Sequence, residues 1–170
     1  ELYHAHVYLL DYTGEMLELA AGADQAGRTM VKNGHSIPLD REHSLVARAG
    51  RTREGIVAND ITLEEDFLAN PLLPDTRAEM AIPMVVNDRL VGVLDVQSEQ
   101  IGRFGDQDIR VISTLARQIV VAVQNAQSFE NTKKRASEVA TVAEVGARIA
   151  MNSNVDDLLW DVANLTRDSF

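Results

Sequence analysis

The chain has 170 residues, 45% of them hydrophobic and 25% charged, which is enough for one domain with a buried core and an accessory element. Its formal net charge of −10 argues against binding to nucleic-acid phosphates, which depends on clustered lysine and arginine. The absence of cysteine excludes disulfides, thiolate catalysis, cysteine-bound zinc and a covalently attached bilin.

Membrane insertion is not indicated by the sequence. No apolar run comes near the about 18–20 residues that cross a bilayer, and there is no signal-peptide pattern. The cysteine-free composition also suits a reducing compartment. We therefore expect a soluble, cytoplasmic segment that makes no membrane contact and carries no cofactor.

The first elements in chain order are strands. Residues 3–23 alternate between apolar and polar side chains and are predicted to form a hairpin, because Gly14 in the DYTGE segment can take positive φ. DQAGRTMVKNG is expected to be a short helix or a loop. HSIPL then predicts a short strand, and its Pro38 favours the edge of a sheet or a strand end.

The middle of the chain combines one helix with three strands. SLVARAGRTRE predicts a helix with Ser44 as its N-cap, and GIVAND predicts a strand. Residues 61–77 are expected to be mostly loop. EMAIPMVV and RLVGVLDVQSE are the strongest strands, and the Asn87-Asp88 pair between them predicts a tight hairpin.

From Asp106 onward the apolar residues recur at every third or fourth position, which predicts a helix. The pattern continues to about Ala150, a length of about 65 Å at 1.5 Å per residue. A single domain of this size rarely buries so long a helix, so we expect its distal half to pair with the same helix of a second chain. Asn154 is expected to cap a separate last helix.

Apolar positions in the distal helix and in the last helix are the ones expected at an interface. They are Val139, Val142, Gly146, Ile149, Leu159 and Trp160.

Neither a metal site nor a catalytic site is predicted from the residues. His4 and His6 share one face of the first strand, but no third ligand is evident, so we interpret them as histidines on a solvent-facing or helix-covered face. Ser44 beside His43 offers a nucleophile and a base, yet adjacent residues seldom reach the required geometry. We therefore assign Ser44 to the helix cap.

Three segments closely resemble a bacterial GAF domain: LVARAGRTREGIVANDI, PDTRAEMAIPMVVNDRLVGVLDVQS and RFGDQDIRVISTLARQIVVAVQNAQSFE. The motifs that carry the resemblance are Arg77-x-Glu79-x-Ala81-x-Pro83, the Gly92–Leu94 strand and Phe104-x-Asp-x-Asp. The resemblance implies an α/β (α+β) fold of the GAF/PAS type. Such a fold is a six-stranded antiparallel sheet flanked by helices, with a long C-terminal signalling helix.

The resemblance also suggests how the chain is organised. Residues 1–130 would be the GAF domain, 131–151 a linking signalling helix, and 152–170 the opening helix of a GAF domain. Because GAF domains carry that helix before their first strand, it is displaced here to the C-terminal end. Three explanations stay open: a piece of a tandem array, a circular permutant, and a dimer whose last helices are swapped.

A ligand pocket is the second implication of the resemblance. The residues expected in its wall are Ser44, Leu45, Asn59, Asp60, Phe67, Arg77, Glu79 and Pro83. The alternative for Arg77 and Glu79 is an ion pair at the rim, and Asp95 could face either side of the sheet. Cyclic-nucleotide-binding GAF domains carry an Asn-Lys-Phe-Asp-Glu motif. Here its Asn and Lys are not evident and Asp108 replaces its Glu, which argues against that ligand.

The predicted function is a non-catalytic sensory or regulatory module that forms a homodimer through its terminal helices. It would bind a small molecule and relay a signal to a downstream output domain, such as a histidine kinase. The alternative is a structural spacer that only dimerises and transmits. In that case Phe67, Leu72 and Met84 would fill the pocket.

Overall fold

The computed structural model describes residues 2–65, 67–151, 159–160, 162–164 and 166–167. The strands within these residues are β1 (His4–Leu10), β2 (Met16–Gly22), β3 (Ser36–Pro38), β4 (Ile56–Ala58), β5 (Ala78–Val86) and β6 (Arg89–Ser98). The helices are α1 (Asp24–Lys32), α2 (Leu45–Thr52) and α3 (Asp106–Met151), with a 3₁₀ turn at Ile61–Leu63.

The strands form one sheet in the order β3-β2-β1-β6-β5-β4, and each neighbouring pair is antiparallel. This arrangement confirms the six-stranded antiparallel sheet expected from the resemblance. The three-residue strand β3, which contains Pro38, lies at one edge of the sheet as predicted. The equally short β4 lies at the other edge.

The turn between β5 and β6 is formed by the predicted residues. Asn87 and Asp88 both have positive φ, 47° and 59°, and Val86 pairs with Arg89 across the turn. Two-residue turns with both central φ values positive match the right-handed twist of the strands that they join. The local sequence thus fixes the register of the two longest strands.

The two faces of the sheet contribute to two separate cores. Tyr8, Leu17, Leu19 and Val93 pack on one face with residues of α1 and α2, including Met30, Val46 and Ala49. Met80, Ile82, Leu94 and Val96 pack on the other face with Ala116 and Val120 of α3. We call the first of these the α2 face.

Helix α2 begins as the sequence predicted. The Ser44 hydroxyl accepts a hydrogen bond from the Ala47 amide at 3.2 Å, which satisfies one of the free N–H groups of the first turn. The helix ends at Arg53, whose φ of 59° is left-handed. Ser44 and Leu45, at the start of this helix, are both buried.

The predicted long helix is confirmed as α3, a continuous helix of 46 residues. By internal contacts the chain divides into two compact units, Glu1–Ala122 and Val123–Phe170. The predicted cap at Asn154 and the side chain of Ile149 lie outside the described residues. No helix in the described part of the chain is long and apolar enough to cross a membrane.

Candidate functional site

A cavity of about 250 Å³ lies on the α2 face of the sheet. Its polar lining comes mainly from the strands, and its apolar lining from α2 and from the loop before β5. The lining residues are His6, Tyr8, His35, Ile37, Ser44, Leu45, Val46, Leu68, Ala69, Asn70, Pro71, Glu79, Asp95 and Gln97.

Strand register brings the polar residues together. His6 on β1 is directly opposite Asp95 on β6, and Glu79 on β5 is directly opposite Gln97. Alternate residues of a strand point to the same face, so Asp95 and Gln97 both project toward the α2 face. Three consecutive strands in the sheet therefore supply one polar floor.

A chain of buried hydrogen bonds connects this floor. The Thr76 hydroxyl donates to Gln97 Oε1 at 2.7 Å, and Gln97 Nε2 donates to Asp95 Oδ2 at 2.9 Å. His6 Nδ1 lies 3.0 Å from the same Asp95 oxygen. Because an ionised carboxylate can only accept, we assign the hydrogen to His6 Nδ1, which leaves Nε2 of a neutral imidazole as an acceptor.

Some polar atoms of this region are buried without a partner. Within the described residues, the buried side-chain nitrogen and oxygen atoms that lack a hydrogen-bond partner are His4 Nε2, His6 Nε2 and Asp95 Oδ1. Leaving such a group unpaired costs about 1–3 kcal/mol. Since His6 and Asp95 line the cavity, a polar group bound there could satisfy both.

Glu79 is the second acidic group of the floor and is 5% exposed. Burial raises its pKa well above the ordinary value, and the charge of Asp95 raises it further. A raised pKa favours the protonated form of a carboxyl group. Glu79 therefore keeps its proton at a pH where an exposed glutamate would be ionised.

Aromatic rings continue from the floor along the face. The ring centroids of His4 and His6 are 4.4 Å apart, those of His6 and Tyr8 5.7 Å, and those of Tyr8 and His35 6.1 Å. Burial lowers the pKa of His4 and of His35, and it raises the pKa of Tyr8. All three shifts favour the neutral form.

The burial of His4 and His6 decides between the two positions predicted for them, a solvent-facing and a helix-covered face. His4 and His6 are 3% and 1% exposed, so a solvent-facing position is wrong and the helix-covered alternative holds. Among the described residues, no group of three or more His, Cys, Asp or Glu side chains could hold a metal ion.

Three of the residues predicted for the pocket wall, Ser44, Leu45 and Glu79, line the cavity. Phe67 does not, although its neighbour Leu68 does. Asn59 binds the backbone of Phe104 twice instead: its amide nitrogen donates to the carbonyl, and its side-chain oxygen accepts from the amide, both at 2.8 Å. This pair of bonds fixes the segment that leads into α3.

The remaining predicted residues also lie away from the cavity. Asp60 accepts hydrogen bonds from the amide and the hydroxyl of Thr62, and so starts the 3₁₀ turn. Pro83 lines a different hollow, beside Ile82 and Ile109.

The alternative of a rim ion pair between Arg77 and Glu79 is wrong. Arg77 is exposed, and its guanidinium donates to the backbone carbonyls of Thr76 and Pro74 at 3.0 and 3.5 Å. Glu79 is buried beside Asp95. The two side chains therefore have separate environments.

The residues proposed as pocket fillers do not occupy the cavity. Met84 is 1% exposed, but it belongs to the core that faces α3. Leu72 is 45% exposed, and neither Leu72 nor Phe67 lines the cavity.

Several cavity residues were not among those predicted, namely His6, Tyr8, His35, Asp95 and Gln97. Two signals in the sequence point to them. The His4-x-His6-x-Tyr8 alternation places three polar rings on one strand face, and Asp95 interrupts an otherwise apolar strand. A buried carboxylate in such a strand requires partners.

The predicted interface residues are exposed wherever they are described. Val139 and Val142 of α3 are 69% and 68% exposed, and Leu159 and Trp160 are 61% and 73% exposed. A methyl group added at Gly146 would meet no atom within 4 Å.

The fold of this chain recurs in proteins of known structure. The GAF domain of the phosphoenolpyruvate-protein phosphotransferase from Acinetobacter is 22% identical with a TM-score of 0.63, over 76% of this chain and 75% of that one. The type II free methionine-R-sulfoxide reductase from Thermoplasma acidophilum is 21% identical with a TM-score of 0.61, over 73% and 80%. A putative GAF sensor protein from Burkholderia vietnamiensis is 26% identical with a TM-score of 0.56, over 70% and 68%.

No curated protein matches the chain. The family model of the GAF domain, in contrast, matches residues 2–124, which is most of the sequence and includes the whole sheet and the cavity. All six strands and the polar floor therefore lie within the part of the chain that the family model matches. The chain belongs to the GAF domain family.

Proposed function

We propose that this GAF domain is a non-catalytic sensory module. It binds a small molecule in the cavity, forms a homodimer through α3, and relays the bound state to a downstream output domain of the histidine-kinase type. The observation that carries the proposal is the polar floor of Glu79, Asp95 and His6 at the base of a cavity whose walls include Ile37, Leu45, Val46 and Leu68. Small-molecule sites commonly combine apolar walls with a few convergent polar groups.

A catalytic role receives less support from the residues. One relative of similar fold is named as a free methionine-R-sulfoxide reductase, but this chain has no cysteine, and so it has no thiolate to act as a nucleophile or reductant. The Ser44 hydroxyl is engaged as a helix cap. His43 Nδ1 lies 3.1 Å from the Glu65 carbonyl oxygen.

The cavity also favours a sensor over a structural spacer. Phe67, Leu72 and Met84 lie elsewhere, so the filling that the spacer hypothesis required of them is not present. Two acceptors at the floor, His6 Nε2 and Asp95 Oδ1, have no partner within the protein and are available to a bound ligand.

Dimerisation is supported by the distal part of α3. Val139, Val142, Gly146 and Ile149 follow the 3-4-3 spacing of a coiled-coil seam. The exposed valines among them would be covered by the same helix of a second chain, which would remove an apolar strip from water. A bound ligand would act on the output by favouring one of two helix packings.

A thermal-shift screen of the chain against nucleotides, amines, amino acids and other small metabolites tests the proposal. A ligand present at 100 times its Kd should stabilise the domain by about 2.7 kcal/mol. Leu68→Trp should abolish the shift, because an indole at the cavity wall would occupy its volume. Leu63→Trp is the matched control, since Leu63 is 80% exposed and lies outside the cavity.

Two results would count against a sensor. The first is the absence of any shift across the panel. The second is a shift that Leu68→Trp leaves unchanged, because the ligand would then bind elsewhere.

A further inference from the structure

We propose that the ligand of this cavity presents a cationic nitrogen group, an ammonium or an amidinium, to the Glu79–Asp95 pair. The inference rests on the proposed function, because it names the ligand class of the same cavity. It follows from the position of two buried carboxyl groups beside one open space.

The first step of the argument concerns charge. Glu79 and Asp95 are 5% and 1% exposed, and both line the cavity. Two ionised carboxylates side by side in a medium of low dielectric constant repel each other strongly. Such a pair is stable either with one shared proton or with a cation between its members.

The second step concerns hydrogen bonding. The atoms left unpaired at the floor are His6 Nε2, an acceptor in the assigned tautomer, and Asp95 Oδ1, also an acceptor. Gln97 Nε2 is already committed as a donor to Asp95. A group with several N–H donors and no lone pair complements this floor, whereas a ligand anion would face the Asp95 charge.

The third step excludes a metal cation and fixes the size of the ligand. The described residues provide no cluster of three or more metal-ligating side chains. The cavity walls include Ile37, Val46 and Leu68, which suit an apolar body, and the volume of about 250 Å³ limits that body to a small one.

The proton balance follows directly. Before binding, the pair carries one negative charge and one proton; after binding, it carries two negative charges and one ligand cation, and one proton has left Glu79 for solvent. The net charge of the floor is unchanged, so the exchange does not leave an uncompensated buried charge. Binding should therefore strengthen as pH rises toward the pH at which Glu79 ionises in the free protein.

Other groups that face Glu79 shape this equilibrium. They are Asp95 and Gln97 from β6, His4, His6 and Tyr8 from β1, and His35 from the segment before β3. His4 and His35 are both biased toward the neutral form by burial, which lowers the pKa of each. None of these residues is a lysine or an arginine, so a proton or a ligand cation has to balance the second carboxylate.

Calorimetry with four small probes tests the inference on the whole chain at pH 7. Benzylamine and benzamidine are the cationic probes, and benzyl alcohol and benzamide are their neutral counterparts. We expect the cations to bind about tenfold more tightly or better, because hydrogen bonds to charged groups are about twice as strong as neutral ones. Titrations in phosphate and in MOPS, two buffers without a primary ammonium group, should show a net release of protons on binding.

Glu79→Gln should remove both the proton release and most of the preference for cations. Circular dichroism will show whether this variant folds. Asp95→Asn is the second variant, with the same expectation. Glu18→Gln is the matched control, because Glu18 is an exposed strand glutamate outside the cavity.

Three outcomes would overturn the inference. They are neutral probes that bind as tightly as the cations, cation binding without proton release, and no binding of any of the four probes. None of these disproves a sensor, because the metabolite screen decides that question separately. Cation-selective binding with proton release would establish the cationic ligand class, provided that it is lost in Glu79→Gln and retained in Glu18→Gln.

Discussion

Two histidines of the α2 face make the folded protein sensitive to acid. Burial lowers the pKa of His4 and of His35 from the ordinary value of 6.5. At a pH below 6.5 the unfolded chain therefore binds more protons at these residues than the folded chain does. The stability that this difference represents is present above pH 6.5 and is lost as the pH falls through the lowered values.

We expect urea denaturation to show that His4→Gln and His35→Gln each gain stability relative to the wild type as the pH falls from 7.5 to 5, because each variant lacks a histidine that must stay neutral in the folded state. The measurement is the slope of the free energy of unfolding against pH. His43→Gln is the control, because His43 is an exposed residue. A slope that is the same in the wild type and in both variants would contradict this account.

Glu79 acts in the opposite direction on stability. Its pKa is raised above the ordinary value of 4.5, so the folded protein binds the extra proton above that pH. The corresponding stability is fully present below pH 4.5 and is lost as the pH rises through the raised value. Glu79→Gln cannot ionise, so its stability relative to the wild type should increase with pH.

The measurement is the difference in free energy of unfolding between Glu79→Gln and the wild type, taken from pH 4.5 upward without ligand. Glu18→Gln should show a difference that does not change over this range. If the Glu79→Gln difference is equally flat, folding does not raise the pKa of Glu79.

At the scale of secondary-structure elements, β1 and β6 lie unusually close at Gly92. A Cβ atom at this residue would clash with the Tyr8 carbonyl oxygen and would lie 2.8 Å from the end of the Met84 side chain. Because the first of these atoms is backbone, the contact cannot be relieved by a change of rotamer. This explains why the Gly-Val-Leu motif begins with glycine.

Gly92→Ala should therefore destabilise the domain by about 1–3 kcal/mol or more, as overpacking of a core does. Gly146→Ala is the control; it places its methyl group in open space on α3, where alanine favours helix by about 1 kcal/mol. The melting temperature of Gly92→Ala should fall, whereas that of Gly146→Ala should rise or stay unchanged. An unaltered melting temperature for Gly92→Ala would disprove the close approach.

The segment between β6 and α3 depends on one side chain. Asn59 makes two hydrogen bonds of 2.8 Å to the Phe104 backbone, 45 residues away. Asn59→Ala should cost about 1–3 kcal/mol and increase hydrogen exchange at the Phe104 amide, while Asn125→Ala on the exposed surface of α3 should do neither. Unchanged exchange at Phe104 would show that another group holds the segment.

The sequence predicts elements whose cause is local. Asn87-Asp88 specifies its turn by backbone preference, Ser44 caps α2 through a residue three positions away, and α3 follows from its apolar period. The site is less accessible to such reasoning, because His6 and Asp95 are 89 residues apart and meet only through the sheet register. Asn59 was predicted in the cavity wall for the same lack of long-range information. Its side chain instead hydrogen-bonds to the Phe104 backbone, 45 residues away.

At the scale of the whole molecule, the proposed homodimer depends on the apolar seam of α3. Val142→Glu would place a charge in that seam and should convert the dimer to a monomer in analytical ultracentrifugation. Ser137→Glu is the control, because Ser137 is exposed on the same helix and falls outside the seam. A wild-type chain that is monomeric at micromolar concentration would remove the basis of this prediction.

The two edges of the sheet bear on how copies of this domain avoid aggregation. Both β3 and β4 have three residues, and β3 includes Pro38, which cannot donate a backbone hydrogen bond. A foreign strand laid along either edge would gain a ladder of three residues at most. Strand-to-strand growth into fibres is therefore disfavoured, and at high local concentration these domains can lie side by side without fusing their sheets.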